Sequence, residues 1–342
     1  MTEAFTYANP RVIYWGAGSV AQLGAELERL ESPRVALVTT RSLLSSVERL
    51  GLAPVATVEV AQHAPMAQIR GGAEDVGLAG ARAIVSFGGG SAIDAAKIIS
   101  VRLARDDGLA LPHIAVPTTL SVAELAAGAG YTNDAGDKAG MRDPRLMVAT
   151  VIYDAELTLM TPPRLWLSTG IRALDHAVEG FLADGSHPFS DVMALEAVRR
   201  LFASLPRAKA RPDDLGVRTE NQLAAWFSFM LPAASASGLC HVMGKQIGAR
   251  HGIPHGVTSC LLMPHVMRYM ERTKPERMAE LARATGSGRD AAVDVRGLIS
   301  LLGLPQHIAE YGIGKPELGK AATELAGKYP EEDLLEIYLA AL

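Results

Sequence analysis

Cysteine is almost absent from this chain. Cys240 and Cys260 are its only two in 342 residues, and neither stands in a C-x-x-C or zinc-ligand spacing. That scarcity excludes a disulfide scaffold and points to a reducing compartment. An excess of either charge is also missing. Lys and Arg number 33 against 37 Asp and Glu, and no basic tract stands out, so there is no electrostatic footprint for nucleic acid. No apolar run reaches the length of a membrane span, and residues 1–10 lack the apolar core of a secretory signal. The expectation is a soluble, cytoplasmic protein that takes a small-molecule substrate and binds neither nucleic acid nor membrane. Two nucleotide fingerprints are missing as well. No G-x-x-x-x-G-K-[ST] run occurs, and Gly16-Ala17-Gly18 lacks the third glycine of G-x-G-x-x-G.

What is present is a globular composition, 49% hydrophobic and 20% charged, with enough chain for two ordinary domains. In the first half, short strand-like runs at Val12–Tyr14, Val35–Thr39, Ala83–Phe87 and His113–Val116 alternate with helical patterns at Ser19–Leu30, Ser42–Leu50 and Ile69–Ala79. That alternation predicts βαβ units, a parallel sheet and helices on both of its faces. Strand-like segments fade after Val148–Tyr153. Beyond Pro162-Pro163 the chain reads as helix after helix, at Phe189–Phe202, Glu220–Met230, Ala236–Arg250 and Met278–Ala284. Leu205–Pro212, basic and flanked by prolines, reads as a surface loop. The prediction is an α/β nucleotide-type domain over residues 1–157 and an all-α domain over residues 158–342.

Three patterns carry chemistry. Ala83–Phe87 runs into Gly88-Gly89-Gly90-Ser91 and a helix bearing Asp94 and Lys97, so unshielded N–H groups and a helix dipole face a site where backbone can approach phosphate closely. The next strand ends in Pro117-Thr118-Thr119, and hydroxyls at such strand ends sit where open α/β sheets bind ligands. The second strand ends in Thr39-Thr40-Arg41 without a carboxylate to grip a ribose and repel a 2′-phosphate, which admits NADP as well as NAD.

In the helical half, Arg172, Asp175, His176 and Glu179 recur at i, i+3, i+4 and i+7, one stripe of a helix, with Ile171, Leu174, Val178 and Phe181 as the apolar stripe beside it. Such a row either lines a site or forms a solvated face laced with ion pairs. Further on, His241, Lys245 and Gly248 share one helix face, followed by His251 and Pro254-His255-Gly256. Imidazoles so placed suit a divalent metal or a developing alkoxide.

Taken in order, Gly88-Gly89-Gly90-Ser91-x-x-Asp94-x-x-Lys97, Pro117-Thr118-Thr119, His176-Ala177-x-Glu179, His241, Gly248 and Pro254-His255-Gly256 resemble the iron-containing alcohol dehydrogenase superfamily, which has a dehydroquinate synthase-like fold. Arg142-Asp143-Pro144-Arg145 through Glu156-Leu157-Thr158 looks most like its maleylacetate reductase branch. The resemblance implies NAD or NADP held by Gly89, Gly90, Ser91, Asp94, Thr118 and Thr119, with Lys138 near the ribose; Thr39 and Thr40 join this set from the second strand end. It also implies a homodimer, hydride transfer to or from a carbonyl or alcohol, and, in metal-using members, iron or zinc on an aspartate and three histidines. Those histidines correspond here to His176, His241 and His255.

Three departures separate this chain from the metal-using pattern. Arg172 stands where the metal-binding aspartate belongs, and the maleylacetate reductase branch also lacks that aspartate. Lys245 replaces a frequent histidine, and Val122-Ala123-Glu124 replaces the usual Gly-Ser-Glu. A guanidinium in place of a carboxylate opposes a divalent ion. The expectation is a metal-independent reductase in which Arg172, His176, His241, Lys245 and His255 polarise the carbonyl of an oxo acid or similar anion. The alternatives are a metal-dependent alcohol dehydrogenase, a dehydroquinate synthase-like lyase and a nucleotide-binding protein without catalysis.

Overall fold

The computed structural model describes residues 9–104, 107–185, 187–229, 238–327 and 329–342. In chain order the first half carries β1 (Val12–Trp15), α1 (Leu23–Arg29), β2 (Val35–Thr39), β3 (Ala56–Glu59), α2 (Met66–Leu78), β4 (Ala83–Gly88), α3 (Gly90–Arg102), β5 (His113–Pro117), β6 (Gly128–Thr132), β7 (Lys138–Arg142) and β8 (Thr150–Tyr153). Helices α4 (Pro163–Leu182), α5 (Pro188–Ala210), α6 (Leu215–Ser228), α7 (Leu239–His251), α8 (His255–Met270), α9 (Pro275–Thr285), α10 (Ala291–Leu302), α11 (Lys315–Leu325) and α12 (Glu331–Ala340) follow. Met230 and Ala236–Ser237, expected at helix ends, lie outside the described residues. No helix among the described residues is long and apolar enough to cross a membrane.

The chain forms two compact units. One runs to Pro162 and also takes Asp213–Leu223; the other comprises Pro163–Pro212 and the chain from Ala224 onward. The first is built on a six-stranded sheet in the order β1-β8-β5-β4-β2-β3, with every pairing parallel. Side chains alternate faces along each strand. Ala36, Val38 and Ile84 point with α2 and α3 into one apolar core, while Val35, Leu37 and Val85 point with α1 and the turn of residues 41–50 into the other. Chain direction across the sheet reverses between β2, which proceeds to β3, and β4, which proceeds to β5. Such a reversal opens a crevice at the carboxyl ends of the strands, where α/β sheets bind ligands.

Two elements escape the sequence pattern: β3, which is mostly exposed, and the β6–β7 antiparallel hairpin. A third is a correction. Residues 205–210 are not a loop but the last turns of α5, with Pro206 inside the helix. A proline there forfeits an N–H bond, about 3 kcal/mol. Burial of Leu201, Leu205 and Ala208 on the same helix face offsets it, at roughly 1.5–3 kcal/mol for each leucine.

Candidate active site

In the first unit the expected phosphate turn takes the form its glycines require. Gly88 adopts φ +151°, and a Cβ there would lie 3.0 Å from the Ala92 methyl. At Gly89 a Cβ would meet Thr119 Cγ2 at 2.9 Å and Oγ1 at 3.1 Å, so the β5 strand end presses directly on the turn. Thr118 N–H donates to Gly88 O at 3.0 Å, locking the two strand ends together. Gly89 opens α3 with no side-chain cap. Around that N-terminus the hydroxyls of Thr119 and Ser121 are buried and take no partner among the described residues. Buried hydroxyls left unmatched are costly unless a ligand completes them. Glycine turn, uncapped helix and orphaned hydroxyls together fit the phosphates of a dinucleotide.

The neighbouring candidates divide. Asp94 accepts from Gly130 N–H at 3.0 Å across to the β6–β7 hairpin, and burial raises it to about 6 against the pull of Lys97 and Lys138. Ser91 Oγ accepts from His63 N–H at 2.9 Å. Thr40 faces Ser42 at 3.2 Å in the open. Thr39, fully buried, donates its hydroxyl to Phe87 O at 2.8 Å, a cross-link inside the sheet.

Lys97 is also turned inward, donating to the carbonyls of Ala123, Ala126 (2.6 Å) and Gly128 (3.0 Å). It pins a strained loop. Val122 adopts φ +56°, a conformation that a β-branched residue rarely takes and that the family's glycine would take freely. Glu124, buried beside it, accepts from Tyr153 O–H at 2.8 Å, and burial pushes its carboxyl up to about 7.

His63 is a residue that sequence reasoning missed. With Ala64 it holds two successive positive φ angles, 70° and 49°, and Lys138 lies close enough to lower its pKa further after burial has done so. Its only sequence signal was a His-Ala-Pro following β3, a strand that was itself not legible.

The second unit builds its site from side chains. The α4 stripe is no solvent face: Trp166 to Leu182 is buried all round except at Glu179. Arg172, 6% exposed, donates from Nη1 to Asp175 Oδ2 at 2.8 Å and to Ser259 Oγ at 3.0 Å, while Nη2 sits against His241 Nδ1. Ser259 donates in turn to Asp175 Oδ2 at 2.6 Å. Asp175 thus offsets the guanidinium charge, so the site holds a buried ion pair rather than a bare cation.

Glu179 accepts from the N–H groups of Gly238 (3.2 Å) and His241 (3.1 Å), anchoring the start of α7. Burial, and then Asp175, hold its carboxyl well above the usual range. A side chain at position 238 would run into that carboxyl. His176 packs edge-on against Phe229 at 5.0 Å; burial, then Arg172 and His255, keep its imidazole neutral.

The histidines gather loosely. His176 and His241 have centroids 5.8 Å apart, His241 and His255 6.4 Å, and His255 is exposed at the first turn of α8. Lys245 lies one turn beyond His241, half-buried. Among the described residues the three imidazoles do not bring three nitrogens within 4.8 Å of one another; Asp175, Glu179 and Cys240 do so with their ligand atoms, but Asp175 is already paired with Arg172. A guanidinium also bears on His241 from the side a metal would need. This donor set does not fit a divalent ion. Ser259 was also missed, although it stands four residues after His255 on the same helix face.

Residues 10–155 match the family model described as iron-containing alcohol dehydrogenase, and residues 166–331 match its C-terminal counterpart. The chain belongs to the iron-containing alcohol dehydrogenase family. Within it the chain resembles the maleylacetate reductases. That of Rhizobium sp. (strain MTP-10005) is 31% identical over 334 residues, covering 96% of this chain and 92% of the relative. That of Sphingobium indicum is 32% identical, covering 94% and 90%. Among solved structures, maleylacetate reductase from Agrobacterium tumefaciens superposes with TM-score 0.90 at 30% identity, covering 100% and 99% of the two chains. An iron-containing alcohol dehydrogenase from Corynebacterium glutamicum gives 0.91 at 26% identity, covering 100% and 98%. As a member of this family the chain is an oxidoreductase.

Proposed function

We propose that this oxidoreductase reduces the carbonyl of an oxo acid or similar anionic compound with NADH or NADPH, and that it does so without a metal. The observation that carries this reading is the placement of Arg172, whose guanidinium is fixed by Asp175, Ser259 and His241 in the row where metal-using relatives keep an aspartate.

Gly89, Gly90, Ser91, Thr118 and Thr119 hold the cofactor, which supplies the hydride when bound. Asp94 and Lys138 serve its ribose. Both Nη1–H groups are engaged and Nη2 contacts both ring nitrogens of His241, so the Nε–H, without a partner among the described residues, and the second Nη2–H are the donors left for a ligand. They donate to the substrate oxygen and stabilise the negative charge that develops on it, as preorganised donors do in a water-poor site. His176, neutral and buried, adds a donor beside them. His255, exposed at the head of α8 and stacked beside His241, returns a proton from solvent to the product oxygen. Support for an anionic substrate comes from the maleylacetate reductases, whose name states an oxo acid.

The test is metal content together with chelator sensitivity of nicotinamide-dependent maleylacetate reduction. Turnover that survives exhaustive chelation is expected. A stoichiometric metal whose removal abolishes turnover, and whose return restores it, overturns the proposal.

A further inference from the structure

Away from the Arg172 group, the second unit carries a two-lobed cavity between α8, α10 and the end of α12. The outer lobe, about 450 Å³, is walled by Ala292, Val293 and Ala340, within the range of small-molecule sites, roughly 300–1,000 Å³. The inner lobe, about 170 Å³, reaches Cys260 and Ile299. Pro264, His265 and Arg296 line both.

Its charge is one-sided. Arg296 has no acid at helix spacing on α10, and no ion pair or hydrogen bond forms at it among the described residues. Arg268 at the rim is already held by Glu271 and Asp290 at 2.5 and 2.6 Å. Near His307, the Glu310 carboxylate accepts from the backbone N–H groups of Gln306 and His307. Burial, followed by Arg296 and His307, pushes His265 down to about 4. Val293, 57% exposed, supplies apolar surface next to the open cation.

We infer that this cavity is a second ligand site, which takes a small organic carboxylate with an apolar body, its carboxylate on Arg296 and His265 and its body against Val293 and Ala292. Neither half of such a ligand suffices, because an inorganic anion leaves the wall wet and an uncharged hydrocarbon gains nothing from Arg296. The site is distinct from the Arg172 group, although α8 borders both: Ser259 bonds to Arg172, and Cys260 walls the cavity. The inference stands whether or not the proposed reaction is right.

Calorimetric titration of the full chain, without cofactor, with benzoate, acetate and benzyl alcohol tests it. Benzoate should bind saturably with a dissociation constant at or below about 1 mM. Acetate and benzyl alcohol should each bind at least about tenfold more weakly, since each lacks one half of the recognition. Arg296→Ala, at an exposed position, should weaken benzoate by about tenfold or more. In histidine NMR spectra benzoate should shift the ring signals that His265→Gln removes. Absence of saturable benzoate binding overturns the inference. So does benzoate affinity unchanged in Arg296→Ala, which would put the ligand on another cation such as Arg172.

Discussion

The two units of this oxidoreductase solve ligand recognition with different materials. In the first, the candidate cofactor site is made of backbone: three glycines, a helix start and two orphaned hydroxyls, with side chains such as Thr39 and Lys97 spent on holding strands and loops in place. In the second, the candidate catalytic site is made of side chains. One guanidinium is shared among an aspartate, a serine and a histidine drawn from α4, α7 and α8. A backbone site is sensitive to volume, because a Cβ at Gly88 or Gly89 would meet a neighbour at 3.0 or 2.9 Å. A side-chain site is sensitive to charge, because each member is buried against the others.

The sharpest way to break that contrast is at Arg172. Arg172→Met should lower kcat/KM by roughly 10²–10³-fold, the scale of losing one preorganised donor. It should also destabilise the fold by about 3–5 kcal/mol, because Asp175 is left buried and unpaired. Adding Asp175→Asn should return most of the stability, read as Tm, but none of the turnover. If turnover returns too, charge balance and not donation to substrate was the role of Arg172.

Volume dominates at the other site. Gly89→Ala sets a methyl 2.9 Å from Thr119 Cγ2 and should raise the cofactor Kd by about tenfold, from a packing penalty of order 1–3 kcal/mol. Nicotinamide fluorescence titration measures it, and kcat at saturating cofactor should change far less than in Arg172→Met.

Glu124 sharpens the comparison within the first unit. Its carboxyl sits at about 7, raised from 4.5. Between those two pH values the folded chain keeps a proton that the unfolded chain has released, so stability falls as pH rises. Above pH 7 the loss is complete, at most about 3 kcal/mol. Glu124→Gln keeps the acceptor for Tyr153 and should gain on the wild type progressively across that window, in denaturant melts at pH 5, 6, 7 and 8. A constant gap would deny the shift.

The smallest effect is expected at Thr39. Thr39→Val removes its bond to Phe87 O and should cost about 1 kcal/mol of stability with no change in cofactor Kd.

Thr39 also shows where sequence reading runs out. The strand it ends was legible to the residue, as Val35–Thr39, because β-branched periodicity marks both buried faces. The glycine turn was legible because only a close approach or a positive φ asks for three successive glycines. What a hydroxyl at a strand end bonds to depends on the neighbouring strand, and that register is not written locally. The same limit hid Ser259, which matters only because α8 crosses α4 at Asp175. It also hid the burial of the α4 stripe, since the spacing of Arg172 to Glu179 is the same whether a helix faces water or other helices. Positions where the chain departs from its family were legible as departures, but their consequences were not. Val122 announced a missing glycine, and only the backbone shows that valine itself takes a positive φ there.

The Arg172–Asp175 pair has an evolutionary consequence. Position 172 cannot be exchanged by itself between arginine and the aspartate of metal-using relatives. Aspartate at 172 beside an unchanged Asp175 and Glu179 crowds three acids into one dry row, and a neutral residue there strands Asp175. Any single step therefore passes through a poorly folding intermediate. The arginine and aspartate forms of this helix are separated by a valley that takes paired substitutions to cross.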